Sequence, residues 1–334
     1  MSPAASFSVV IPYFQREAGV LRRSLRSILA QSLVAQGEPL HIVVVDDASP
    51  CPADPELDGL DLPESVRLSL IRQANAGPGG ARNTGLDALA AEPGPGGHIA
   101  LLDSDDEWLP AHLENARAAL QAGASAYFAD HFQLGQQVSA FTRNGTLRLD
   151  EHPLLDAQRG LHWFGLDMPA QVIGSNLIGT STVCFDAGAL RLPRFRTELR
   201  RAGEDYLFWI ELARAGARWA FGSRPEVRYG RGVNVYSGVR WGSPEFIERS
   251  RHEWRWRQTS LGLVPAGSPL QAHVADRIAR LRQDIWLSAL SSLRAGRPPL
   301  GELLRGLRDD PALLGQLLPA LRRRGGGGGG EPGG

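Results

Sequence analysis

The run Ile42-Val43-Val44-Val45, opened by His41, ends abruptly at Asp46-Asp47. Four consecutive β-branched residues with no polar alternation suit a strand buried on both faces. Such strands belong to parallel sheets covered by helices. The flanking pattern agrees. Phe7 to Ile11 is another apolar run, closed by Pro12, and Val20, Leu21, Leu25, Ile28 and Leu29 then recur at helical spacing. Val66 to Ile71 reads as a third strand, Asn83 to Ala91 as a helix, Ile99 to Leu102 as a strand, Leu109 to Ala122 as a helix and Tyr127 to Phe132 as a strand. Alternation at these lengths predicts an α/β fold, a doubly wound and mostly parallel sheet with helices on both faces.

Periodicity is poor from about 133 to 179, and a stretch that long in a compact domain is expected to be a functional loop region. A β-rich run spans Gly179 to Phe185, helical spacing returns from Glu204 to Ala215, and Trp219 to Phe221 reads as a short strand. Beyond Pro244 the chain reads as helices over 245–262, 269–295 and 300–321. The expected organisation is therefore a catalytic α/β domain over 1–243, a helical extension over 244–324, and a disordered Gly-rich tail over 325–334.

Composition narrows the function. The 36 acidic residues balance 36 basic ones, every one of them arginine, so a lysine Schiff base or P-loop lysine is excluded and bulk-charge nucleic-acid binding is not expected. The neutral total hides an asymmetry. Residues 1–245 carry 22 Arg against 28 acids, and residues 246–324 carry 14 Arg against 7. Cys51 and Cys184 have no metal spacing and suit a reducing compartment, and the N-terminus lacks the basic start of a signal peptide. A cytoplasmic location is expected, with a peripheral position at the inner face of the membrane left open. Of the eight histidines, His41 reads as a packed strand residue and the rest show no ligand spacing.

The chemistry gathers where strands end. In open α/β sheets ligands bind beyond the carboxyl ends of the strands, and polar features follow three of the runs: Pro12-Tyr13-Phe14, Asp46-Asp47 and Asp103-Ser104-Asp105-Asp106. An aspartate there is often only a turn former or helix cap. Two acidic clusters at one edge, however, call for a compensating cation. In an extended segment Asp103 and Asp105 would face one side and Asp106 the other. Such oxygen donors suit Mg²⁺ or Mn²⁺ bound together with substrate phosphate. Gly77, Gly79 and Gly80 would let backbone approach a ligand, and Arg82 offers a fork that matches phosphate or a base edge. Glu204-Asp205 is either the acidic first turn of a helix or the source of a general base.

Taken in order, Ser8-Val-Val-Ile-Pro-Tyr-Phe14, Val45-Asp46-Asp47-Ala-Ser49, Asn75 to Gly85 with Arg82-Asn83, Leu102-Asp103-Ser104-Asp105-Asp106-x-Trp108-x-Pro110 and Glu204-Asp205 resemble the family-2 glycosyltransferases of the GT-A fold. The resemblance covers roughly 7–240. It implies an inverting, metal-assisted enzyme that moves one sugar from a nucleotide-diphosphate sugar, with a leaning to UDP, to a saccharide or lipid-linked acceptor during polysaccharide or glycoconjugate synthesis. By residue it implies that Pro12 and Phe14 line the base. Asp47 would accept from the base's ring N–H, with Asp46 nearby. Gly77 and Arg82 would hold base or diphosphate. Asp103 and Ser104 would face the ribose and sugar, and Asp105, with Asp103, would bind the metal. Thr180 and Ser181 would lie beside the donor sugar, and Asp205, neighboured by Glu204, would be the base. Arg228-Tyr229 with Asn234 and Ser237 resembles a region that closes over the diphosphate. Gln15 departs from the usual Asn.

A sugar-nucleotide nucleotidyltransferase and a non-catalytic nucleotide-sugar-binding relative are the competing readings. The basic C-terminal helices read either as a cap with a solvated face or as a surface for anionic lipid or a polyanionic acceptor. In the second reading Arg249, Arg251, Arg255 and Arg257 interleave with Trp254 and Trp256. Trp209 and Trp219 are expected in the core, while Trp163 and Trp241 are candidates for stacking on an acceptor ring.

Overall fold

A computed structural model describes residues 7–91, 97–232, 239–296 and 298–325, without the side chains of 323–325. Asn234, Ser237 and the tail beyond Gly325 lie outside the described residues. The chain divides into two compact units, Met1–Glu198 with Glu204–Asn234 and Leu199–Gly203 with Val235–Gly334.

The first unit is built on a ten-stranded sheet. Its strands are β1 (Phe7–Tyr13), β2 (Leu40–Asp46), β3 (Val66–Arg72), β4 (His98–Leu101), β5 (Glu107–Trp108), β6 (Ala126–Phe132), β7 (Leu154–Asp156), β8 (Leu161–Trp163), β9 (Cys184–Asp186) and β10 (Trp219–Arg228). Helices α1 (Val20–Leu29), α2 (Ser32–Ala35), α3 (Asp54–Leu57), α4 (Gly77–Ala90), α5 (His112–Gln121), α6 (Ala140–Asn144), α7 (Met168–Gly174) and α8 (Glu204–Arg214) connect them. The spatial order is β3-β2-β1-β4-β9-β6-β10-β8-β7, with β5 paired to β10. Strands β1 to β4 pair in parallel, as do β6 and β10, while β9 runs antiparallel between β4 and β6. The carboxyl ends of β1, β2, β3, β4, β6 and β10 therefore share one edge. The order of strands reverses at β1, and it is beside such a reversal that open sheets form a crevice.

Every residue of β2 is buried, as its unbroken apolar run requires. Strand β1 does not stop at Pro12. It continues to Tyr13, and Pro12 stands opposite Val45. The Val10 carbonyl accepts from Leu102 on the β4 side; two residues on, the missing N–H of Pro12 faces the same side, past the end of β4. Strand β10 likewise runs through Gly222 and Pro225, which look like terminators in sequence, because register shifts around Pro225 absorb them. Residues 133–179 are not wholly irregular. They hold α6, the β7–β8 hairpin and α7, elements too short for periodicity to reveal. Glu107-Trp108, which resembles a helix start, forms β5 instead, and α5 begins at His112.

The second unit contains α9 (Pro244–Leu261), α10 (Pro269–Arg294), α11 (Leu300–Asp309) and α12 (Leu317–Gly325), with a 3-10 turn at Pro311–Gln316. Ser243 and Ser268 cap α9 and α10 through Phe246 and Gln271 N–H groups. Ile247, Ile285, Ala289 and Leu313 form its core. The arginine–tryptophan mix of α9 is not an outward surface. Arg251 is buried and pairs with Glu302 at 2.7 Å and with Asp309, Arg255 pairs with Asp309 at 2.8 Å, and Trp256 is buried beneath the Arg257 guanidinium. Arg251 and Arg255 thus neutralise acids of α11, and Arg257 pairs with Glu253 of α9 itself. Among the described residues, no helix is long and apolar enough to cross a membrane.

Candidate active site at the carboxyl edge of the sheet

Asp103 to Asp106 follow β4 as a tight turn, closed by the Asp106 N–H on the Asp103 carbonyl at 3.0 Å. The segment is a turn rather than extended, so residue alternation does not apply and the acids are separated by depth. Asp103 and Asp105 remain part-exposed, whereas Asp106 is buried. Ser104 fastens the turn from below, its Oγ accepting from Gln15 Nε2 at 3.0 Å and its carbonyl from Ser24 Oγ at 2.8 Å. Ser181, fully buried between Thr180 and Thr182, secures the other side. Its Oγ accepts from the Asp103 N–H at 3.0 Å and donates to Asp106 Oδ2 at 2.5 Å, and its carbonyl accepts from Trp108 Nε1 at 2.7 Å.

Burial and the neighbouring Asp103 push the Asp105 carboxyl up to about 6, and Asp106 lies well above the usual carboxylate range for the same reasons. The loop after β10 closes against this turn through glycines. A Cβ on Gly230 would collide with the Asp105 carbonyl, and one on Gly232 would sit 2.5 Å from Asp105 Cβ. The Gly230 N–H donates to Asp106 Oδ1 at 2.9 Å.

Arg82 joins this turn to α8. Its Nη2 lies 2.7 Å from Asp103 Oδ1 and its Nη1 3.4 Å from Glu204 Oε1, with the residue 3% exposed. Helix α4 carries Arg82, and Asn83 anchors Phe195 by a reciprocal pair of hydrogen bonds at 2.9 and 2.8 Å. Phe195 stacks on Phe208 of α8 at 4.1 Å. Residues distant in sequence are thus clamped together. Glu204 is pushed up to about 7 by burial and by Asp205, partly offset by Arg82, and burial also raises Asp205. Asp205 accepts the Tyr206 N–H at 2.9 Å at the start of α8.

The glycine-rich segment is the opening of α4 rather than a loop. Gly77 adopts φ of 80°, outside the range that suits an L-side chain. A Cβ on Gly79 would lie 3.1 Å from Phe195 Cβ and 3.4 Å from Glu204 Cγ, so its bareness admits α8. Gly85 lets α4 pack on β1, where a Cβ would be 2.5 Å from Val10 Cγ1. Asp47 caps this helix from another segment. Its carboxylate accepts the N–H groups of Ala76 at 2.7 Å and Gly77 at 2.9 Å, and Gln73 Nε2 at 2.7 Å. Asp46 folds the loop after β2 by accepting from Ser49 and Ala53 N–H groups at 2.8 and 3.1 Å. Pro12 is buried in β1 and Phe14, just beyond it, is half-buried.

The convergence of these parts is felt at Tyr229. Burial and the charges of Asp106, Asp103, Asp205 and Asp105 together hold its phenol well above the ordinary value. Its ring stacks on His131 at 4.5 Å, and Gly179 makes room for the hydroxyl. His131, at the end of β6, is pushed down to about 4 by burial. Sequence reasoning did not single out His131, nor the inward role of Asp106 and the bridge that Ser181 makes to it. His131 lies within β6 and Ser181 in the turn before β9, and neither position carries a local signal of what its side chain touches. Trp209 and Trp219 lie in the core, Trp163 is covered by the Arg218 guanidinium at 3.6 Å, and Trp241 is exposed.

Among the described residues no group of three or more His, Cys, Asp or Glu is arranged to hold a metal ion. The two hard carboxylates of Asp103 and Asp105 nonetheless fit Mg²⁺ or Mn²⁺, which take one or two protein carboxylates and complete their shells with water and phosphate. The mutual repulsion that raises Asp105 is the kind a bound cation relieves.

Comparison with known proteins identifies the family. Residues 8–173 match the family described as Glycosyl transferase family 2. The chain is 34% identical over 325 residues to the succinoglycan biosynthesis protein ExoW of Rhizobium meliloti (strain 1021), covering 93% of this chain and 96% of ExoW. ExoO of the same organism is 29% identical over 213 residues, 61% of this chain and 54% of ExoO. Among solved structures, S. aureus TarS 1-349 in complex with UDP superposes with a TM-score of 0.55 at 16% identity, covering 96% of this chain and 92% of that one. TarS 1-349 with UDP-GlcNAc gives 0.50 at 15% identity, covering 84% and 72%. At that identity the likeness is one of fold. With ExoW aligned along nearly its whole length and the family match beginning within β1, the chain belongs to glycosyl transferase family 2 and is a glycosyltransferase.

Proposed function

We propose that the enzyme moves one sugar from a UDP-sugar to a hydroxyl of a saccharide or lipid-linked acceptor, with inversion, during assembly of a cell-surface polysaccharide. The observation that carries this reading is the buried Arg82 bridging Asp103 of the acidic turn, at 2.7 Å, to Glu204 beside Asp205 at 3.4 Å. ExoW and ExoO bear names in succinoglycan biosynthesis, and TarS has been solved with UDP and with UDP-GlcNAc, which supports a polysaccharide pathway and a uridine donor.

Asp205, raised by burial at the start of α8, accepts the proton of the attacking hydroxyl at its carboxylate. One such base suffices for inversion. Arg82 keeps Glu204 and Asp103 in place. A divalent cation held by Asp105 and Asp103 would neutralise the charge developing on the departing diphosphate. Phe14, the loop ordered by Asp46, and the turn capped by Asp47 at Gly77 form the base side. Ser104, Thr180 and Ser181 set the floor beside the donor sugar.

The test is a panel of nucleotide sugars with Mg²⁺ or Mn²⁺, scored by thermal stabilisation and by release of nucleoside diphosphate, with the product anomer read by NMR. A UDP-sugar that stabilises the protein and yields an inverted product is expected. If no sugar nucleotide binds or turns over, or pyrophosphate is released instead, the reading fails.

A further inference from the structure

The C-terminal helices keep an apolar surface in water. Leu293, Leu300, Leu304, Leu314, Leu318 and Leu321 expose between 44% and 66% of their area. They are not a shortage of core. Leu303 and Leu307 pack inward on α11, and Leu313 and Ala320 are buried beside them. Leu300 and Leu304 follow one helical stripe of α11, and Leu318 and Leu321 another of α12, so these leucines fall on outward faces of successive helices.

The charges on these helices are sorted. Segment 300–322 carries three acids and three arginines and is formally neutral. Its acids, Glu302, Asp309 and Asp310, are drawn into pairs with Arg251, Arg255 and Arg282, with side chains only 10–13% exposed. Arg305 and Arg308 also touch Glu302 at 2.6 Å and Asp309 at 3.6 Å, yet their side chains stay 55% and 75% exposed. Arg322 is exposed as well. The outward face thus presents leucine and arginine, with its acids withdrawn.

We infer that this face of α11 and α12 rests on an anionic lipid bilayer. Leucines enter the boundary between headgroups and acyl chains, while arginines reach back to lipid phosphates. A second copy of the chain fits less well, because a two-fold contact would set one arginine face against another with no free acids between them. The inference does not depend on which donor the enzyme uses.

The experiment is co-sedimentation of the full chain with phosphatidylcholine vesicles, with and without about 30% phosphatidylglycerol. Binding is expected only with the anionic lipid and should weaken with salt. Leu304→Ser with Leu318→Ser, and separately Arg305→Ser with Arg308→Ser, should each weaken partitioning by about tenfold while melting temperature and UDP-sugar turnover stay unchanged. Wild-type protein left in the supernatant would overturn the inference, as would variants that bind like wild type. So would a dimer, seen in sedimentation velocity, that the leucine variants dissolve without any vesicle binding.

Discussion

Arg82 and Asp103 stand 2.7 Å apart, the first on α4 and the second just past β4, and the guanidinium is almost wholly buried. A buried arginine is held by its acids, and its second branch reaches Glu204. Removing one partner of such a pair leaves charge without compensation. Arg82→Met should therefore destabilise the protein by about 3–5 kcal/mol, more at pH 8 than at pH 5, where carboxylates can take up protons. Urea titrations at the two pH values read this directly, and a loss independent of pH would argue against the pairing.

Glu204 supplies its own pH signature. Its folded value of about 7 exceeds the ordinary 4.5, so the native state binds the extra proton. The benefit of that proton is full below about pH 4.5 and drains away as pH rises towards 7. Glu204→Gln should flatten the fall in stability over this window relative to wild type. Parallel slopes for the two proteins would show that Glu204 titrates normally.

Asp205→Asn removes the proposed proton acceptor and keeps the shape of the site. Transfer should fall by about 10²–10⁴-fold while calorimetric affinity for the UDP-sugar stays close to wild type. Retained turnover would move the base elsewhere.

Asp105 should matter through the cation. With chelator present, or in Asp105→Ala, donor affinity should drop by about tenfold or more, and added Mn²⁺ should restore wild type but not the variant. Equal affinity with and without chelator would remove the metal from the donor site.

Ser181→Ala removes a hydrogen-bond partner from two groups at once, the Asp103 N–H and the buried Asp106 carboxyl, which keeps only the Gly230 N–H. A cost of about 1–3 kcal/mol is expected in equilibrium unfolding, with a further loss of transfer because the acidic turn is no longer fastened. Wild-type stability would mean that the serine bridge contributes nothing.

Much of this protein is written locally. The β-branched run of β2, the helical spacing of α1 and the acids that follow β2 and β4 are properties of neighbouring residues. Strand and helix periodicity therefore exposed the sheet and the edge where its chemistry gathers. The chain alone also displayed the acids on which the proposed chemistry rests, Asp103, Asp105 and Asp205. What each polar residue touches was decided by the tertiary structure, because the partners lie far apart in sequence. Asp47 caps α4, Asp106 turns inward to Ser181, Pro12 continues a strand because β4 ends beside it, and Arg251 and Arg255 of α9 pair with acids of α11. A side chain's hydrogen bonds and charge neighbours follow from strand order and helix packing, and no local pattern encodes those distances.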